Sequence, residues 1–449
     1  MTHVLYRHNV ATDLPLAVGG DGPYLIDAQG KRYLDASCGA AVSCLGHSNT
    51  AVREAIKAQI DQLAYAHTRF FTNQPMERLA DELVTGAPAG LSRVWFTCGG
   101  SEAIEAALKI TRQYFVEKGE PQRRNIIGRL QGYHGNTVGA LSASGNIWRR
   151  ALFEPLLLSV SHHIPACFPY RDMREGETER EYGLRVANEL EEKILSLGAD
   201  SVAAFVAETV VGSTLGAVAA APGYFKRIRE ICDKYGVLLI LDEVMCGMGR
   251  TGTRYACEQE EIAPDLMAVA KGLAGGYLPL GALLLNEKIA DAIGCGSNVV
   301  MHGHTFMGHA TSCAAGLAVQ AEIRKHDLLA NVRRQGERLR TLLEERFHHH
   351  PHVGDIRGRG LFLAVEFVAD RDTKAPFDPS LKIHSRLKEA AMGRGLICYP
   401  MGGIVGGKSG DHVMLAPPYI VEESHLQEMV DKLGLSVDEV LRSVLRKVA

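Results

Sequence analysis

No stretch of this sequence approaches the roughly 18 uncharged apolar residues that span a bilayer, and the opening Met1-Thr2-His3-Val4-Leu5-Tyr6-Arg7 lacks the apolar core of a secretory signal. Both absences predict a protein that stays where it is made, in the cytoplasm. Net charge is also scarce. Lys+Arg number 49 against 52 Asp+Glu, a formal charge of -3, which offers no basic field for nucleic acid and no polycationic face for anionic lipid. The 10 cysteines form no CxxC pair, so neither a disulfide frame nor a zinc site is expected, and small buried thiols in a reducing compartment fit better. His348-His349-His350 with His352 invites a metal reading, but it sits beside Pro351 between a helical and a strand pattern, the setting of a polar surface loop. No metal is expected. Internal repeats, low-complexity tracts and flexible linkers are absent as well.

What is present is an ordinary globular composition, 46% hydrophobic and 22% charged over 449 residues, long enough for a large domain, a smaller one and a cleft between them. Pro23-Tyr24-Leu25-Ile26 and Lys31-Arg32-Tyr33-Leu34-Asp35 flank the turn residues Asp27-Ala28-Gln29-Gly30 and predict a hairpin. From about Asn49 the spacing of Val52, Ile56, Ile60 and Leu63 turns helical. Short apolar runs then alternate with helical patterns: 94–97, 126–128, 203–206, 237–241, 266–269 and 281–285, with helices at 103–114 and 222–235. That alternation predicts an α/β fold, a largely parallel sheet covered on both faces. A long helix from about Ser312 to Phe347 leads to strands at 361–365, 396–399 and 413–415, a helix at 381–392 and a closing helix at 422–447, a compact α+β unit. The predicted division is 1–60 contributing to the small domain, 61–330 as the large domain and 331–449 as the small domain.

In open parallel sheets ligands bind beyond the carboxyl ends of the strands. Four such ends stand out. Thr97 is followed by Cys98-Gly99-Gly100-Ser101-Glu102 and a helix, a cradle in which glycine backbone, the Ser101 hydroxyl and first-turn amides can hold a phosphate, or a plain turn capped by Ser101. Gly128 leads to Gln131-Gly132-Tyr133-His134-Gly135-Asn136, whose tyrosine could stack on a planar ring or cover the core edge. The run Leu238–Leu241 ends in Asp242-Glu243; an acid there could keep a pyridine nitrogen protonated, or cap the next turn. The run Leu266–Ala270 ends in Lys271, which burial would convert into a nucleophilic amine, although strand-end lysines are commonly just solvated. Together these are an anion cradle, a stacking ring, an acid and a Schiff-base lysine, the requirements of pyridoxal 5'-phosphate (PLP).

Over nearly its whole length the chain resembles the class III, or ω-, aminotransferases of the fold-type I PLP enzymes. The resemblance is carried by Gly99-Gly100-Ser101-Glu102-Ala103, Tyr133-His134-Gly135, Glu208, Leu241-Asp242-Glu243-Val244, Gly249-Arg250-Thr251-Gly252, Ala270-Lys271-Gly272, His304-Thr305-Phe306 and Ala416-Pro417-Pro418. It implies a large mainly parallel-sheet domain with a smaller α+β domain. It also implies Gly100 and Ser101 on the phosphate, Tyr133 and Val244 on opposite ring faces, and His134 and Glu208 among the cofactor contacts. Asp242 would pair with the pyridine nitrogen, while Lys271 would form the internal aldimine and shuttle the proton. Thr305 would reach the phosphate of the other subunit, which implies a homodimer with shared sites that could pair further into a tetramer.

Departures from the family pattern bear on substrate. Glu208-Thr209-Val210-Val211-Gly212 replaces Glu-Pro-Val-Gln-Gly, and Met245 stands where relatives have glutamine or isoleucine, implying a less polar pocket than in 4-aminobutyrate enzymes. Val413 stands where 2-oxoglutarate users carry an arginine, which argues for pyruvate as acceptor; Lys408 lies where amine:pyruvate relatives have a mobile arginine and could receive a carboxylate, or be a solvated loop charge. Ala41 replaces a tryptophan of the amine enzymes and predicts room for a bulky or long primary amine. The expectation is transfer of an amino group from a primary amine or ω-amino acid to a 2-oxo acid. Aminomutase, racemase or decarboxylase chemistry is the alternative on the same residues. An NAD-dependent dehydrogenase is favoured least, because Gly247-Met248-Gly249-Arg250-Thr251-Gly252 matches GxGxxG only formally, well past its strand and without a clear amphipathic helix after it.

Overall fold

The computed structural model describes residues 14–448, so the Met1–Arg7 start lies outside the described residues. Its centre is a seven-stranded sheet in the order Leu91–Thr97, Gly281–Asn286, Leu266–Val269, Leu238–Asp242, Val202–Glu208, Asn125–Arg129, Ser161–Ile164. Gly281–Asn286 runs antiparallel to both of its neighbours, and every other pairing is parallel. Each position of Val202–Glu208 and Leu238–Asp242 is buried, which is why these strands read as unbroken apolar runs. Alternate side chains serve opposite faces. Ala204, Val206, Leu238 and Ile240 pack with Ala103, Ala107 and Ile110 of the helix Gly100–Glu117. Phe205, Ala207, Leu239 and Leu241 pack with Leu190 and Ile228, from the helices Glu179–Leu197 and Tyr224–Tyr235. Each fully buried branched side chain in these layers contributes roughly 1.5–3 kcal/mol.

A second core joins the two ends of the chain. Leu34, Leu45 and Val52 cluster with Leu339, Val365, Leu415 and Leu433. The predicted hairpin forms as Tyr24–Asp27 against Arg32–Asp35, and Asn49 caps the helix Thr50–Gln62 by accepting from Val52 N.

Three expectations need correction, and two strands carry no signal in the sequence. The long helix is two, Ala310–Lys325 and Leu328–Phe347, separated at Asp327 with φ 46° and no glycine or proline to announce the break. The 396–399 run divides: Leu396–Ile397 pairs in parallel with Arg32–Asp35, whereas Tyr399–Val405 joins Ser409–Leu415. Ser161–Ile164 and Val353–Arg359 are edge strands with polar, half-buried sequences that lack an apolar run. Finally, the cysteines are all free, but Cys295 is exposed and Cys98 and Cys398 are only half-buried. Among the described residues no helix is long and apolar enough to cross a membrane, and no group of His, Cys, Asp and Glu is arranged to hold a metal ion.

Candidate active site

Strand register brings the acids together. Asp242 and Glu208 are the last residues of adjacent parallel strands and lie directly opposite one another; Lys271 follows the next strand over, which pairs Ala268 with Asp242. All three line a cavity of ≈ 440 Å³, together with Gly100, Ser101 and Tyr133. The four strand ends singled out in the sequence therefore meet in one place.

Asp242 is held on both oxygens. His134 Nδ1 lies 2.9 Å from Oδ2 and Val244 N donates to Oδ1 at 3.0 Å. Because a carboxylate only accepts, Nδ1 carries the imidazole proton, and Nε2 of this buried ring has no hydrogen-bond partner among the described residues. Glu208 accepts from Tyr133 N at 3.1 Å and from Gly212 N at 2.7 Å, fastening two loops to one side chain. Burial pushes the Glu208 acid above its ordinary value. Burial also lowers the Lys271 ammonium, against the opposing pull of Asp242 and Glu208.

The cradle after Leu91–Thr97 is tight. The first bond of the helix Gly100–Glu117 runs from Ala103 N to Gly99 O, so the amides of Gly100 and Ser101 have no intrahelical acceptor and are available to an anion. A Cβ on Gly100 would stand 2.7 Å from Val244 Cγ1, and one on Gly135, at φ +137°, would stand 2.6 Å from Ser101 Oγ. Asn136 N donates to that same Oγ at 3.1 Å. An anion cradle, Tyr133 and Val244 on the cavity wall, an anchored acid and a lysine of lowered basicity fit a phosphorylated pyridine aldehyde.

The family model described as "Aminotransferase class-III" matches residues 6–437. The chain belongs to the class III aminotransferases. An aminotransferase of Gibberella zeae is 44% identical over 440 residues, covering 97% of this chain and 86% of that protein. Among solved structures, the (S)-enantioselective ω-transaminase of Thermomicrobium roseum superposes with a TM-score of 0.92 at 34% identity, covering 98% of this chain and 96% of that one. The PMP-bound aminotransferase of Vibrio fluvialis gives 0.91 at 34%, with 98% and 97% covered. Class III aminotransferases are PLP-dependent enzymes, and the cavity matches that chemistry.

Not every expected residue of this class III chain reaches the cavity. Ala41 is 2% exposed, at φ 62°, in a core cluster with Val210, Phe362 and Met414, and the wall is formed instead by its neighbours Ala40 and Val42. Lys408 is exposed in the turn between Tyr399–Val405 and Ser409–Leu415. Val413 faces Val365 across the sheet in the second core. Thr305 lies outside this chain's cavity, exposed, with its carbonyl accepting from Tyr65 Oη at 2.7 Å. The segment Gly247–Gly252 forms a buried turn in which Arg250 donates to the carbonyls of Leu361 and Pro417, a structural tie rather than a nucleotide loop.

Sequence reasoning missed Arg149 and Tyr399, which both line the cavity. Arg149 lies on the short helix Ile147–Arg150, and its guanidinium carbon sits 4.6 Å from the Tyr133 ring centroid. The capping residue Asn146 was a readable signal for that helix, but the choice between Arg149 and Arg150 as the inward side chain is a tertiary one.

Proposed function

We propose that this class III aminotransferase moves an amino group from a primary amine or ω-amino acid to pyruvate, in a homodimer with shared sites. The observation that carries the reading is the placement of Lys271, Asp242 and Glu208 on three neighbouring strand ends in one cavity. PLP, when bound, supplies an electron sink through its protonated pyridine nitrogen. Asp242, braced by His134, would hold the positive charge on that nitrogen; Gly100 and Ser101 would hold the phosphate, and Tyr133 and Val244 would confine the ring. Lys271 Nζ, made less basic by burial, would hold the cofactor covalently at rest and, once displaced by the donor amine, would be free to take the proton from the donor's amine-bearing carbon and to return one to carbon 2 of the acceptor.

Pyruvate rather than 2-oxoglutarate as acceptor rests on the family pattern alone, in which 2-oxoglutarate users carry an arginine at the place of Val413; in this chain that residue lies in the second core, away from the cavity. Exposed Phe70, Phe71 and Phe306 beside Thr305 support the dimer, since a monomer rarely leaves such aromatics in water. In that dimer Thr305 reaches the partner's phosphate.

The test is the absorption spectrum of the holoenzyme. A panel of primary amines, without any acceptor, should bleach the yellow band; pyruvate should restore it more efficiently than 2-oxoglutarate, and Lys271→Ala should abolish the cycle. Bleaching by no amine would overturn the transaminase reading, and consumption of donor with an unbleached cofactor would indicate mutase, racemase or decarboxylase chemistry.

A further inference from the structure

A second cavity, of ≈ 380 Å³, shares no lining residue with the catalytic one. It forms where the break at Asp327 separates the helices Ala310–Lys325 and Leu328–Phe347, with the loops at 45–49 and 420–422 supplying the rest of its wall. Hydrogen bonds between these segments build the frame. Asn49 Nδ2 donates to Glu322 Oε2 at 3.1 Å, and Asn331 Nδ2 donates to the carbonyls of Tyr419 at 2.6 Å and Val421 at 3.1 Å. A cavity finished in this way spends little of a ligand's binding energy on ordering its own walls.

Gln335 lines this cavity and is 8% exposed, and its side-chain amide makes no hydrogen bond to another described residue. A buried amide without a partner costs about 1–3 kcal/mol, which a ligand that bonds to it recovers. Glu322 is 9% exposed, and the bond from Asn49 holds its acid below the ordinary value, so the wall also carries a negative charge. Lys325 Nζ and His326 Nε2 lie 3.3 and 3.5 Å from its oxygens, but both side chains are more than half exposed, where pairing is weak. The exposed Glu422 and Arg334 add one charge of each sign at the rim, where Arg334 donates to Asn331 Oδ1. We propose that this cavity is a second binding site, for a small α-amino acid in its zwitterionic form.

Charge and polarity select that class. A simple anion would face Glu322 and Glu422, and a simple cation would face Arg334. An apolar molecule would leave the Gln335 amide unmet. A zwitterion offers its ammonium to the carboxylates and its carboxylate to Arg334, while the amide, which both donates and accepts, bonds to either end. The remaining lining, including Leu45, Leu328 and Ile420, accommodates a short apolar side chain. Transfer of an amino group to a 2-oxo acid yields a molecule of this class, whichever donor the enzyme uses.

The experiment is calorimetric titration of the holoenzyme with N-methylglycine, an achiral zwitterion whose secondary amine cannot replace Lys271 on the cofactor. Acetate and dimethylamine, which carry its two charges separately, are the controls. N-methylglycine should bind at least about tenfold more tightly than either, because each control forgoes one charge-assisted bond. Gln335→Leu and Arg334→Met should each weaken it roughly 10-fold, while bleaching by a primary amine, a property of the other cavity, stays as in wild type. Binding no tighter than that of the two controls would overturn the proposal. So would equal affinity in wild type and both variants, since the ligand would then sit elsewhere. Should Gln335→Leu fail to fold, Arg334→Met at the exposed rim carries the comparison alone.

Discussion

Replacing Gly100 with alanine adds one methyl group at the mouth of the cradle, and its consequence follows from two distances. The new Cβ would stand 2.7 Å from Val244 Cγ1 and 2.9 Å from Cγ2, whereas relaxed carbon–carbon contacts lie near 3.5–4.0 Å. Val244 has little room to yield: it is β-branched, hence stiff at χ1, and its own amide is bound to Asp242 Oδ1. Overpacking of this kind costs about 1–3 kcal/mol. Any part of that strain that appears on closing the cradle around phosphate weakens PLP, by roughly 5- to 150-fold for the full range. The rest lowers the stability of the apoprotein. The assay is a double-mutant cycle of Gly100→Ala and Val244→Ala, reading PLP affinity by titration and the melting midpoint of the apoprotein. Removing the valine methyls makes room for the new Cβ, so the double variant should lose less than the sum of the singles, with a coupling on the order of 1 kcal/mol or more. Strict additivity, or a Gly100→Ala protein indistinguishable from wild type in both readouts, would refute the reasoning.

Glu243 provides a prediction about pH. It is fully buried and accepts from Ala256 N at 2.6 Å, Cys257 N at 2.7 Å and Thr209 Oγ1 at 2.9 Å, yet burial raises its acid from an ordinary 4.5 to about 7. The folded chain then keeps a proton that the unfolded chain has shed, so this side chain costs stability as pH rises through that window, by up to roughly 3 kcal/mol above it. Denaturant midpoints measured from about pH 5 to about pH 8 should decline more for wild type than for Glu243→Gln; equal slopes would count against it. For the substrate wall, Ala40→Trp should lower activity with a bulky amine at least about tenfold relative to a small one, because Ala40 lines the cavity and, unlike Ala41, has a negative φ of -131°. The same substitution at Ala41, inside the core at φ 62°, should instead reduce stability, seen as a lower melting midpoint.

Much of the fold was legible because local pattern and burial coincide here. Unbroken runs such as Leu238–Leu241 are long enough to be strands, apolar enough to be central, and each ends in a residue that burial alone would not tolerate. Asp242 and Lys271 could therefore be identified from sequence as chemical residues. The edge strands Ser161–Ile164 and Val353–Arg359 were not legible, since one face of each meets solvent or polar side chains and the hydrophobic signal drops out. Nor was the break at Asp327, where a non-glycine residue adopts a left-handed conformation.

Within the site, the sequence by itself determined which residues have the chemistry: an acid and an amine at the ends of buried strands, and glycines before a helix. Tertiary structure alone decided which of them meet. Strand order and register set Asp242 opposite Glu208 and one strand from Lys271. The backbone path through 38–42 turned Ala40 rather than Ala41 toward the cavity, and Asn146, capping its helix and bonded to Gln131, set Arg149 beside Tyr133 while Arg150 went to backbone carbonyls. Adjacent residues in sequence differ by only one rotation of the chain, and the direction of that rotation is fixed by packing against elements hundreds of residues away.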